Sequence, residues 1–159
     1  MSTIYVQFSN IAGEAKSAEF SGQIECSAMR HVIYLPVIRA ASRVQSDSKH
    51  GPIALTHAVD KASPLLKKAA MMGANQGEVK IRRTRTVAGR STAVETITLS
   101  NVVVVRVDVD TPVSSNTLEP SEEPMETFYL DYDRIQWSAK RIFGDRDAGV
   151  IEGAWQLPS

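Results

Sequence analysis

Three side chains in one short stretch, His57, Asp60 and Ser63, carry the residue types of a nucleophilic triad. A hydroxyl attacks, an imidazole takes its proton and a carboxylate orients the imidazole. The spacing argues against that use. Alternation along an extended strand sends His57 and Asp60 to opposite faces, and Ser63 stands where a helix cap belongs. No pair among His31, His50 and His57 has the i, i+4 or tight cysteine spacing of a zinc site. The single cysteine, Cys26, lies in an apolar-alternating run and reads as a packed wall thiol. It permits no internal disulfide, which suits a reducing cytoplasm. G-x-S-x-G, a phosphate-binding glycine loop and H-E-x-x-H are all missing from the sequence. No catalytic set, metal site or cofactor is therefore expected, and the chain is not read as an enzyme.

The charged residues point to contact rather than reaction. Lys80, Arg82, Arg83 and Arg85 give one strand a basic face. That face either meets an acidic partner surface or is a solvated strand guarded by charge against edge-to-edge aggregation. Glu119, Glu122 and Glu123 make a polar loop acidic, and the acidic segment runs on to Glu126. Lys plus Arg and Asp plus Glu number 18 each, so the net charge is zero. That balance, with few aromatics among the basic residues, speaks against nucleic acid as a partner. No run approaches the roughly 20 apolar residues that span a bilayer, and no membrane insertion is expected. Met1 to Phe8 lacks the basic and then apolar pattern of a signal peptide.

The elements that position these residues are mostly strands. With 159 residues, 43% of them hydrophobic, the chain can bury the core of one domain. Ile4–Phe8 alternates as a short strand, Asn10–Glu14 reads as a turn, and a second strand lies within Gln23–Leu35, ended by Pro36. Ile38–Gly51 is polar and reads as a long exposed excursion or an extended hairpin that folds against a partner. Ile53–Val59 resumes alternation. One helix follows, with Ser63 as cap, Pro64 in the first turn and Gly73 as the stop. Its expected buried face is Leu65, Leu66, Ala69, Ala70 and Met72, with Met71 between Lys67 and Lys68 on the open side. Val79–Val87 and Val94–Leu99 read as a hairpin about Ala88–Ser91. Val102–Val109 reads as a strand buried on both sides at its start, and Thr127–Ser138 as a last strand with a bulge near Asp131–Asp133. After Ala139 a glycine-containing tail carries Trp155 and is expected to dock on its own or a neighbouring subunit.

Taken together, these stretches resemble the haemolysin-coregulated protein (Hcp) family, the tube subunit of the bacterial type VI secretion system. The likeness is carried by Val59-Asp60-Lys61-Ala62-Ser63-Pro64-Leu65-Leu66 with Lys68-Ala69, and by the Asn10–Glu14 turn. The long loop before His57, the Glu95–Val102 arm and the Tyr132–Trp137 strand add to it in order and spacing. The resemblance implies a mainly β protein, a squat β-barrel of two packed antiparallel sheets with one flanking α-helix and a long extended loop. It places that domain at residues 1–138 and a C-terminal tail at 139–159. It further implies six copies closing into a ring and rings stacking into a hollow tube that carries or chaperones effectors. The partners implied are other copies of the chain and the type VI sheath, spike and effector proteins. The protein is expected to be cytoplasmic before assembly and then secreted by the type VI apparatus without a signal peptide.

On that expectation the charged segments become connectors. Lys80, Arg82, Arg83 and Arg85 on one copy would face Glu119, Glu122 and Glu123 on the next, and Met71 would enter a neighbour. The loop bearing Arg39, Arg43, Asp47 and Lys49 would reach the adjacent ring, and Arg30 would face the lumen. A different class remains open: a monomeric β-barrel module that binds a small ligand or carbohydrate through Tyr129, Tyr132, Trp137 and Trp155. Aromatics at 6% of the chain favour packing over such a use.

Overall fold

The computed structural model describes residues 2–37, 48–109, 123–143 and 146–157. Twelve strands and one helix follow one another as β1 (Ile4–Gln7), β2 (Ile24–Cys26), β3 (Ala28–Arg30), β4 (Ile33–Tyr34), β5 (Lys49–His50), β6 (Ile53–Ala58), α1 (Ser63–Met72), β7 (Val79–Val87), β8 (Arg90–Ser100), β9 (Val103–Val109), β10 (Met125–Asp131), β11 (Arg134–Phe143) and β12 (Arg146–Gln156). One sheet has the order β12-β11-β8-β7-β1-β2 and the other β3-β6-β10-β9, with every pairing antiparallel. A third, two-stranded pair, β4-β5, forms a short arm of its own. The expected mainly β fold of two packed antiparallel sheets with one helix holds.

The core lies between the sheets because each central strand turns alternate residues inward. Ile53, Leu55 and His57 of β6 face in, opposite Leu130, Phe128 and Glu126 of β10. Val6, Ile24, Val79, Ile81, Ile97, Leu99 and Ile135 close on them from the larger sheet. A smaller cluster, Tyr5, Ala15 and Phe20, packs separately, with the Tyr5 and Phe20 rings stacked at 4.4 Å.

The β7–β8 hairpin turns at Ala88 and Gly89, both at positive φ (50° and 76°), the pattern whose twist suits a two-residue hairpin. The expected single strand over Thr127–Ser138 is two strands in different sheets. The parity change near Tyr132 and Asp133 marks the crossing from one sheet to the other. The register irregularity lies earlier, between Tyr129 and Leu130, where Val105 is left without a direct partner. Val105 is consequently exposed, so β9 is wet sooner than the strand pattern implies. The segment after residue 138 continues β11 and folds back as β12, paired along β11 by backbone hydrogen bonds.

The helix begins with a reciprocal pair of hydrogen bonds. The Ala62 N–H donates to Asp60 Oδ1 (2.8 Å), and the Asp60 N–H donates to Ser63 Oγ (3.0 Å). The N-cap itself is Ala62 and not the expected Ser63, and it has no side-chain cap, so this reciprocal pair closes the turn that leads into the helix. Ser63 thus serves the helix start by accepting from Asp60 rather than from a first-turn N–H. Gly73 ends the helix at φ 61°, its N–H donating to the Ala69 carbonyl (3.0 Å). The buried stripe is Ser63, Leu66 and Ala69, narrower than expected. Leu65 is 45% and Met72 66% exposed, because α1 rests against β9 along one line rather than lying in a groove. Leu66→Ala should therefore cost about 2–5 kcal/mol in a urea unfolding titration. Leu65→Ala should stay within about 0.5 kcal/mol of the parent; equal losses at the two positions would refute this assignment of faces.

Candidate assembly interfaces and the buried polar pair

β6 ends by turning His57 into the core, and the antiparallel register sets Glu126 of β10 directly across from it. His57 Nε2 lies 2.9 Å from Glu126 Oε1, yet out of line for a directed hydrogen bond, so proximity and electrostatics hold the pair. Both side chains are fully buried. Lys67 Nζ of α1 reaches Glu126 Oε2 at 3.5 Å, and Asp60 Oδ2 stands 3.7 Å from His57 Nδ1. The Phe128 ring meets the imidazole edge-on at 5.2 Å between centroids. His57 and Asp60 are therefore neighbours, because the chain leaves strand geometry after Ala58 and alternation no longer applies. They do not form a reaction centre: the imidazole is sealed from solvent and the Ser63 hydroxyl is engaged by the Asp60 N–H.

Cys26 is also inside, and burial, then the charges of Asp60 and Glu25, push its thiol far up, so it stays protonated and unreactive. Among the described residues no group of three His, Cys, Asp or Glu side chains is placed to hold a metal ion.

The basic strand is only partly free. Arg83 pairs with Glu95 across the hairpin (2.8 Å), Lys80 with Glu78 (3.7 Å), and Arg82 donates to Gln7 (2.9 Å). Arg85 is exposed and has no partner among the described residues. Of the acidic residues, Glu119 and Glu122 lie outside the described residues, Glu123 is exposed, and Glu126 is no surface group at all. Its inward parity with Phe128 and Leu130 explains why. Glu123 joins Glu14, Glu25 and Asp60 around an open cleft of about 540 Å³ that also includes Ser2, Thr3 and Cys26. The Lys61 N–H donates to Glu14 there (2.9 Å). The Thr84 N–H donates to the Thr3 carbonyl, so the basic strand reaches the same rim as the acidic cleft. Met71 projects from α1 at 85% exposure.

Arg39, Arg43 and Asp47 lie outside the described residues, and Lys49 sits exposed on β5. Val32, Ile33, Tyr34, Leu35 and Val37, at the start of the arm, are all exposed. Arg30 is exposed on β3, at the outer face of the smaller sheet. That face is polar and internally paired: Thr56 with Thr127 (3.0 Å), Tyr129 Oη donating to Asp108 (3.0 Å), and Arg106 bridging to Asp108 (2.7 Å). The Asp108 carboxyl is held below its ordinary range, first by the hydrogen bond from Arg106.

Two features escape the sequence. One is the His57–Glu126 pairing; its signal is a carboxylate at a core-parity position of β10. The other is a trio in which His31 Nε2 and His50 Nδ1 both contact Tyr132 Oη, at 2.7 and 3.0 Å. Nothing in local spacing brings together residues so far apart in the chain.

The geometry defines a two-sheet β protein whose polar groups are either sealed inside or spread over outer faces. The chain belongs to the Hcp family: the family model described as "Type VI secretion system effector, Hcp" matches residues 5–138. Solved structures share the fold over nearly their whole length. Hcp1 from E. coli EAEC 042 is 22% identical with a TM-score of 0.77, covering 98% of this chain and 97% of that one. Hcp1 from Salmonella typhimurium is 18% identical at 0.76, covering 98% and 95%. The secreted protein Hcp3 from Pseudomonas aeruginosa is 18% identical at 0.70, covering 99% and 98%. No curated protein matches the chain. No helix among the described residues is long and apolar enough to cross a membrane.

Removing one member of the buried pair strands the other without water. Glu126→Ala or His57→Ala should each destabilise the fold by roughly 3–5 kcal/mol. The joint replacement His57→Phe with Glu126→Leu should recover most of that loss, measured by urea unfolding. Single variants no worse than surface substitutions would show that the pair carries no such weight.

Proposed function

We propose that this chain is a tube subunit of a type VI secretion system. Six copies close into a ring, rings stack into a hollow tube, and the tube carries effectors. Its further partners are the sheath, spike and effector proteins of the apparatus. The observation that carries this reading beyond family membership is the outer face of the β3-β6-β10-β9 sheet. It is a wall of small and polar side chains that satisfy one another, with Arg30 among them. Such a wall suits a water-filled lumen, where cargo must slide rather than stick.

Ring closure from identical subunits uses a head-to-tail contact that joins two different patches. The charges left open for it are Arg85 on the basic strand and Glu25 and Glu123 at the acidic cleft. Arg83, Arg82 and Lys80 are already engaged within the subunit and support the strand more than the contact. Met71, with Leu65 and Met72 beside it, offers the apolar part of a contact surface. The β4-β5 arm serves the stacking contact, with Lys49 on β5 and with Arg39, Arg43 and Asp47 in the sequence between the two strands.

The ligand-module alternative loses support because three of its four aromatics are occupied, while Trp155 stays half-exposed on β12. Tyr132 is buried, Trp137 packs on the core, and Tyr129 is tied to Asp108 with Arg106 over its ring at 5.1 Å.

Size-exclusion chromatography with light scattering should return a particle six times the subunit mass, and negative-stain images should show rings. A stable monomer at every concentration would overturn the reading. Arg85→Glu and Glu123→Arg should each lower the ring fraction, and the two together should restore part of it. Ring formation indifferent to either single reversal would remove that charge pairing. Arg30→Glu should change effector retention while rings persist.

A further inference from the structure

The two histidines that bracket the base of the arm address a single oxygen. His31 precedes β4 and His50 ends β5, and each lays its ring edge-on to Tyr132, with centroids 5.8 and 6.1 Å away. Their own centroids are 6.2 Å apart. Tyr132 is buried at the point where the chain passes from β10 to β11. Behind His50, Ser48 Oγ stands 3.4 Å from Nε2. The arm itself has little else at this end: Ile33 pairs with His50, Tyr34 with Lys49, and the Gly51 N–H donates to the Val32 carbonyl (3.0 Å).

The proton count at Tyr132 Oη is restrictive. A phenol has one hydrogen to give, and a neutral imidazole has one N–H and one bare nitrogen. With both imidazoles neutral, the phenol donates to one and accepts from the other, and every buried polar atom is satisfied. One added proton is tolerated, since the donating imidazole can be the charged one. A second makes both facing nitrogens donors. The phenol hydrogen then has no acceptor at this site, and two cations face each other across a few ångströms.

We propose that His31, His50 and Tyr132 form an acid-operated latch, closed while at least one imidazole is neutral, whose second protonation frees the base of the arm. Burial lowers the proton affinity of His31, with the charge of His50 adding to that and the backbone bond at Gly51 opposing it; burial likewise lowers that of His50. Burial, and then the Asp131 charge, push the Tyr132 hydroxyl up, so it stays a phenol throughout. The other charged neighbours in the chain are Asp133 after Tyr132, Arg30 before His31 and Lys49 before His50. The released arm binds more protons than the latched one below the ordinary histidine value of about 6.5. The hold is therefore complete above that value and is lost as pH falls below it. The latch would couple acidity to ring stacking, an extension that rests on the tube reading and on the arm as connector.

Hydrogen exchange on the full chain tests the latch without reference to assembly. Between about pH 7.5 and about pH 5.0, after correction for intrinsic rates, protection at the amides of Ile33, Tyr34, Lys49 and His50 should fall about tenfold, while β6 and β10 keep theirs. In His31→Gln and in His50→Gln that difference should shrink to within about twofold. Tyr132→Phe should loosen the arm at both pH values and leave no further loss on acidification. Arm protection that does not change with pH in the parent chain, or that changes equally in both glutamine variants, would overturn the latch. Sedimentation of stacked rings over the same pH range reads the connector separately. Stacks that persist after the arm amides have opened refute the coupling to stacking and leave the latch standing.

Discussion

The fold depends on one corner, where the chain leaves the smaller sheet at Asp131 and enters the larger at Arg134. Two backbone ladders end there, and each loose donor or acceptor has to be met close to the core. The Asp133 N–H donates to the Ser100 carbonyl (3.1 Å), and the Asp133 carbonyl accepts from the Leu157 N–H (2.7 Å) and the Gln156 side chain (3.0 Å). Asn101 donates to the Asp133 carboxylate. Ser100 and Asn101 are themselves the opposite crossing, from β8 to β9, with Asn101 at φ 53°. The exit of the helix joins in, since the Gln76 N–H donates to Val102 and the Val102 N–H to Gly77. The two sheets, the helix exit and the end of β12 are thus tied at one place, and Tyr132, next to Asp133, ties the arm there too.

How much of this the residues announce follows from the range of each interaction. Alternation is local, so β6, the β7–β8 hairpin and the inward faces of β10 are legible in the order of residues. The helix is legible at its stop, Gly73, and its start is legible to within one residue, since Ala62 and not Ser63 is the N-cap. Its buried width is not, because that depends on how α1 lies on β9, while periodicity alone turns Leu65 and Met72 inward. Parity likewise records that something changes near Tyr132 without saying whether it is a bulge or a change of sheet. The charged residues are least legible. Arg83 and Arg85 look alike in the strand, yet Glu95 across the hairpin neutralises one and leaves the other open. Glu126 looks like its neighbour Glu123 and lies in the core.

The polar groups that resemble chemistry are the ones most completely shut away. His57 and Glu126 occupy a layer of the core that would otherwise be filled by two apolar side chains, and such a pair adds little net stability over them. What it does add is discrimination. A two-residue slip of β10 against β6 would set both groups against apolar neighbours, and a one-residue slip would turn Glu126 to the other face and leave His57 alone in the core, so the pair penalises the other registers. Lys67 extends the same check to α1, whose position along β9 is otherwise fixed by a narrow apolar stripe. The cost of burying the pair is offset by a single defined placement of helix on sheet.

In the proposed ring a subunit needs that definition, because an error in one copy is multiplied around the assembly. It also needs its outer faces to differ. On the β3-β6-β10-β9 sheet, Arg106, Asp108 and Tyr129 satisfy one another, so a second protein gains little by docking there. At the rim shared by the cleft and the basic strand, Arg85, Glu25 and Glu123 keep charges that nothing in the described subunit answers. Exposed charges contribute little to the stability of the isolated chain. They contribute more once a partner excludes water from around them, where they set register and orientation. The distribution of paired and open charge therefore separates a sheet face that satisfies itself from a rim whose charges stay open.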